Sequence, residues 1–203
     1  MTNIFILSYD CSKLGDYFLR CNEDIQSFLS TNSPKTTIRC THNSCDSTLL
    51  HTELSSYTDD YVVTIYAHGE DDKIIDNSEN DLINMADAKS SYHNAIVYST
   101  SCYSANKLGI EMHKYGCKFF FGYSEKSYIG MSHKDKFIEL DNFALKEIFL
   151  KNTIEGKVIY EITNAFFEDE LEKMKKTNPL IAPLIMHNKE SFKIYHNRTV
   201  YPS

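Results

Sequence analysis

Two short runs of β-branched and aromatic residues, each closed by a residue able to do chemistry, constrain this chain most. The first reads Tyr61-Val62-Val63-Thr64-Ile65-Tyr66-Ala67 and ends on His68-Gly69; the second reads Ala95-Ile96-Val97-Tyr98-Ser99-Thr100-Ser101 and ends on Cys102. Apolar runs of this length, closed by small or polar residues, are the pattern of buried strands in a parallel sheet. In open α/β sheets chemistry gathers beyond the carboxyl ends of the strands. His68 and Cys102, distant in sequence, are therefore expected to meet at one sheet edge. A thiol nucleophile and its proton acceptor require that placement.

The rest of the chain supplies matching elements. Residues Asn3 to Tyr9 read as a first strand, and Leu14 to Leu29 as a helix with Leu14, Phe18, Cys21, Ile25, Phe28 and Leu29 on one face. Ser33-Pro34 should end that helix, because proline cannot continue it. A second strand is expected over Thr36 to Cys40. Asn43 to Asp60 is polar and open to a helical turn or two around Leu49, Leu50 and Leu54, and Glu70 to Asn94 to a hairpin or loop near the site. After Cys102, a helix over Tyr103 to Tyr115 with Gly116 as its cap leads to a strand over Cys117 to Gly122. Helices follow over Lys134 to Leu150 and Ile154 to Lys176; Pro179 and Pro183 bracket a loop, and Phe192 to Tyr195 reads as a last strand. Alternating strands and helices predict a single domain, residues 1–203, with a three-layer α/β/α sandwich and a mostly parallel central sheet.

Composition narrows the function classes. The chain has 203 residues, 42% hydrophobic and 13% aromatic, enough for one sizeable core. A net charge of −7 speaks against a nucleic-acid surface, and no run reaches membrane-spanning length. The start, Met1 to Asp10, lacks a positive n-region and meets an acid too early for a secretory leader. Six cysteines at irregular spacings read as reduced thiols, which points to the cytoplasm.

A free thiol titrates near roughly 8.5, so thiolate at neutral pH needs a cation or a helix N-terminus. Cys102 is expected to have both, from His68 and from the helix over Tyr103 to Tyr115. Imidazole titrates near neutrality, so His68 can accept the thiol proton and return it to a leaving amine. Gly69, without a side chain, lets the backbone pass close to a substrate carbonyl. Asp59 and Asp60 precede the His68 strand at its far end and are poorly placed to orient the imidazole, while His113 and His133 read as surface groups on helices. Cys40, His42, Cys45 and His51 do not match a structural zinc spacing, and no metal or other cofactor is expected. Neither a Gly-x-Ser-x-Gly elbow nor a phosphate-binding Gly-x-x-x-x-Gly-Lys loop is present. Three functions stay open: a cysteine peptidase, an inactive binding module of the same fold, and a flavodoxin-like small-molecule domain in which Cys102 is structural.

The strand ending in His68-Gly69, the strand ending in Cys102, the helix opening Tyr103-Ser104-Ala105-Asn106, the run Gly116 to Tyr123 and the closing Pro183 to Asn188 with Phe192 to Tyr195 together resemble the caspase-like clan of cysteine peptidases. The closing segment is similar to that of many short bacterial CHAT-domain proteins. The Gln-Ala-Cys-Arg-Gly of true caspases is absent, and Thr100 stands where metacaspases carry an acid. The resemblance implies a Cys102/His68 dyad and an oxyanion hole built by the amides of Gly69 and Cys102. It implies that the loop after the first strand lines the substrate pocket, where Asp10, with Glu125 as a second candidate, would bind a basic residue before the cut. It further implies a protein or peptide substrate, with an activating partner and a regulated role in bacterial antiviral defence or cell death. Neither nucleic acid nor membrane is expected as a partner.

Overall fold

Among the described residues, seven strands make the central sheet, in the order Thr199–Tyr201, Phe192–His196, Phe119–Tyr123, Ala95–Ser99, Tyr61–Tyr66, Asn3–Ser8 and Thr37–Ile38. The structure is a computed structural model that describes residues 3–9, 13–39, 47–57, 60–76 and 79–202. Strands β1 (Asn3–Ser8), β2 (Thr37–Ile38), β3 (Tyr61–Tyr66), β7 (Ala95–Ser99) and β8 (Phe119–Tyr123) run parallel. On the β8 side, β9 (Phe192–His196) and β10 (Thr199–Tyr201) add antiparallel neighbours, so the sheet is mixed. The fold is α/β.

Alternation along the strands sorts the core into two layers, because successive side chains leave opposite faces. Ile4, Ile6, Val62, Tyr66, Ile96, Tyr98, Phe119 and Phe121 pack with α1 (Gly15–Asn32), α5 (Lys134–Lys151), α6 (Gly156–Thr177) and α7 (Ala182–Ser191). Phe5, Leu7, Val63, Ile65, Val97 and Phe120 pack instead with α2 (Ser47–Ser55), α3 (Met85–Ser90) and α4 (Lys107–Lys114). Strands β3, β7 and β8 are buried along their whole length, as their unbroken apolar runs require.

The chain leaves β1 toward β2 and returns to β3 on the other side of β1, so strand order reverses between β1 and β3. Such a reversal opens a crevice at the carboxyl edge. Past that edge His68–Gly69 forms β4, which pairs with β5 (Lys73–Ile75) and, through it, β6 (Asp81–Asn84) in a small antiparallel sheet. The irregular stretch after Gly69 thus contributes the antiparallel pair β5 and β6, followed by α3, whose start is fixed by an Asn84/Asp87 capping box.

Several boundaries differ from the sequence expectation. The two long runs end earlier as strands: β3 stops at Tyr66 and β7 at Ser99, so His68 falls in the separate strand β4 and Cys102 on the turn beyond β7. The helix expected at Tyr103 begins at Lys107, because the Tyr103 and Ala105 amides donate to the carbonyls of Glu125 and Tyr123, tying this segment to the end of β8. Pro183, read as a loop boundary, lies in the first turn of α7, where a missing N–H costs nothing. Gly116, with φ +98, does follow α4 as expected of a cap. Among the described residues, no helix is long and apolar enough to cross a membrane.

Candidate active site

The crevice at the carboxyl edge brings together His68, Gly69 and Cys102. The Gly69 backbone lies directly on the Cys102 peptide. A Cβ placed on Gly69 would fall 2.3 Å from the Cys102 carbonyl oxygen, 2.8 Å from Ser101 Cβ and 3.3 Å from the Cys102 amide nitrogen. No side chain fits there. Hydrogen bonds hold both partners in place. Thr100 N–H donates to the Ile65 carbonyl at 3.1 Å, joining the two strand ends. The Asn106 side chain donates to Asp71 Oδ1 at 2.9 Å and to the Ser124 carbonyl at 3.0 Å. Leu108 N–H donates to the Asp71 carbonyl, also at 2.9 Å. The β4–β5 turn, the Cys102 turn and the end of β8 are therefore locked to one another.

Cys102 is partly buried, and its thiol points at the Ser127 carbonyl, 3.9 Å away. Tyr103, next along, has φ +59, a left-handed conformation that a bulky residue adopts only under constraint. Ser104 Oγ donates to the Ser101 carbonyl at 2.8 Å and helps hold this turn. Burial pushes the Cys102 thiol above its ordinary value, and the Ser127 carbonyl contact and the Lys126 ammonium only partly offset this. The expected activation by a helix start at Tyr103 is absent because α4 begins five residues beyond Cys102. In this structure Cys102 rests as a thiol.

The His68 side chain is exposed, its ring set edge-on against Phe18 of α1 at 5.9 Å. His68 and Cys102 line one cavity of about 20 Å³, closed by Leu14 just before α1, Phe18 of α1, Ser127 and Ile129 from the segment after β8, and Thr100 and Asp141. Asp10, the first candidate for substrate recognition, lies outside the described residues, as do Cys40, His42, Cys45 and Asp59. Glu125 is exposed and does not line the cavity; its carbonyl receives the Tyr103 amide. His51 faces Asp87 at 3.5 Å and Tyr92 at 3.4 Å. His113 is half-buried rather than a surface group, with neither ring nitrogen hydrogen-bonded among the described residues.

Asp141 is the site residue that sequence reasoning passed over. It is 2% exposed, accepts from Tyr17 Oη at 2.6 Å and from Tyr123 Oη at 2.8 Å, and burial raises its carboxyl to about 6. The signal lay in its spacing. Four residues after Phe137 and three before Ala144, it falls on the inward stripe of α5, where an ionisable residue is out of place.

No protein-family model matches the sequence, and no curated protein matches it.

Proposed function

We propose that the chain is a caspase-like cysteine endopeptidase of the cytoplasm, with Cys102 as nucleophile and His68 as general base and acid, acting on a specific protein partner in a regulated defence or cell-death setting. The backbone contact between Gly69 and Cys102 carries this reading. At that contact a Cβ on Gly69 would overlap the Cys102 peptide, and the reading assigns the amides of these two residues to the oxyanion. Their two strand ends also present a thiol and an imidazole to one cavity.

The chemistry then runs through this chain's own groups. Because the thiol rests protonated, His68 takes its proton as Cys102 Sγ bonds to the scissile carbonyl carbon, and the electron pair moves onto the carbonyl oxygen. The amides of Gly69 and Cys102 stabilise that oxyanion, an effect on the order of 3 kcal/mol per donor. The pair then returns, the C–N bond breaks, and the imidazolium protonates the departing amine. Water attacks the thioester, giving its proton to His68; the C–S bond breaks, and the sulfur recovers a proton from the imidazolium.

A raised thiol also favours a second reading, a binding module of the same fold that does not turn over. Incubation with peptidyl acyloxymethyl ketones of mixed sequence separates the two. A peptidase gives one adduct, on Cys102, that His68→Ala slows by roughly 100-fold or more. Adducts scattered over several cysteines, or none, would favour the non-catalytic module.

A further inference from the structure

Asp141 is a buried acid without a counter-ion. Its carboxylate receives two phenol donors, from Tyr17 and Tyr123, and has no neighbouring cation among the described residues. An ionised carboxylate has about four acceptor sites, so two phenols leave it unsaturated. Buried charge in that condition is retained at a cost unless a partner arrives. The position of Asp141 gives that vacancy a direction, since it stands on the wall of the cavity that His68 and Cys102 line. A second polar group lies on the same wall. Thr100 Oγ1, in a residue 5% exposed, finds no hydrogen-bond partner among the described residues. An anionic acceptor with sites to spare and a hydroxyl without a partner would be completed by a group that carries positive charge and several N–H bonds. A substrate carboxylate would meet like charge there, and an apolar side chain would leave both groups unsatisfied.

We infer that Asp141 is the specificity residue of this site and binds an arginine or lysine side chain immediately before the cleaved bond, an inference that rests on the Cys102/His68 reading above. Tyr17 and Tyr123 hold its two oxygens, and Tyr98 Oη fixes its backbone by donating to the Asp141 carbonyl at 2.6 Å. The cavity of about 20 Å³ has room for roughly one water. A basic side chain therefore enters only as the outer wall, Ser127 and Ile129, withdraws. That same withdrawal takes the Ser127 carbonyl off the thiol, so recognition of the correct residue also releases the nucleophile.

The test uses the full chain and two irreversible peptidyl ketones identical except for arginine or its uncharged isostere citrulline before the ketone. The readout is the ratio of their rates of Cys102 adduct formation. Steps common to both probes, including attack by the thiol, cancel in that ratio. The arginyl probe is expected to react about 10- to 100-fold faster, the range for a charge-assisted hydrogen bond, and Asp141→Asn should bring the ratio close to one. A ratio near one in the parent, or an arginine preference that survives Asp141→Asn, overturns the inference. Should Asp141→Asn fail to fold, Thr100→Val decides: the ratio should fall, and an unchanged ratio overturns the assignment. Labelling by neither probe, or labelling away from Cys102, overturns the nucleophile reading itself and the inference with it.

Discussion

A thiol raised by burial and aimed at the Ser127 carbonyl favours its protonated form, and its reactivity should show it. Raising an acid's pKa leaves less of its anion at any given pH. Alkylation of Cys102 by iodoacetamide should therefore be slow at neutral pH and climb with a midpoint above the roughly 8.5 of a free thiol. Rate profiles by peptide mapping check this, and a plateau already reached below pH 7 would show a preformed thiolate instead. Gly69 is the other residue whose chemistry is fixed by its surroundings. A methyl group there meets Cys102 O at 2.3 Å and Ser101 Cβ at 2.8 Å, one a backbone atom and both in a turn that hydrogen bonds hold on several sides. Gly69→Ala should cost about 1–3 kcal/mol in urea unfolding and suppress Cys102 labelling. Parent-like stability and labelling in Gly69→Ala would mean that the two backbones do not touch.

Among the elements, α5 carries a cost that the fold does not need. Its inward polar pair reaches far: Asp141 meets Tyr17 and Tyr123, while Asn142 accepts from Tyr66 Oη at 2.5 Å and donates to the Cys21 carbonyl at 2.9 Å. Burial raises the Asp141 carboxyl from 3.8 to about 6, so folding favours its neutral form. The unfolded chain releases this proton first, and the stability contributed by the protonated form is lost as pH rises from about 4 to about 6. Asp141→Asn, neutral at every pH, should equal or exceed the parent by on the order of 2–3 kcal/mol above pH 7, and the gap should close below pH 4. Asp141→Ala, which leaves two phenols unpaired, should instead destabilise. Urea unfolding across pH measures both, and a gap that widens toward low pH would contradict the burial argument. Elements buried by their own periodicity were legible in the sequence: β3, β7 and β8 from unbroken apolar runs, α1 and α5 from their stripes. Elements set by contacts between distant segments were not. The late start of α4 depends on the carbonyls of Tyr123 and Glu125, α7 was hidden by taking Pro183 as a stop, and β10 is a short edge strand of only three residues.

For the whole molecule, the topology places the site. Reversal of strand order between β1 and β3 opens the crevice, the small β4–β6 sheet sets Gly69 against Cys102, and the segment after β8 closes the cavity. The pairing of His68-Gly69 with Cys102 was legible because two residues of that chemistry closed two strands of one pattern. Asp141 was not, because its placement on the cavity wall depends on α5 packing against α1 and the sheet. Turnover tests the central claim most directly: a protein-derived peptide library incubated with the parent, Cys102→Ala and His68→Ala, cleavage followed by mass spectrometry and folding by circular dichroism. The expected result is cleavage by the parent and loss in both folded variants to background, about 1000-fold or more. Cleavage retained by Cys102→Ala, or a parent that cuts nothing, would contradict the assignment.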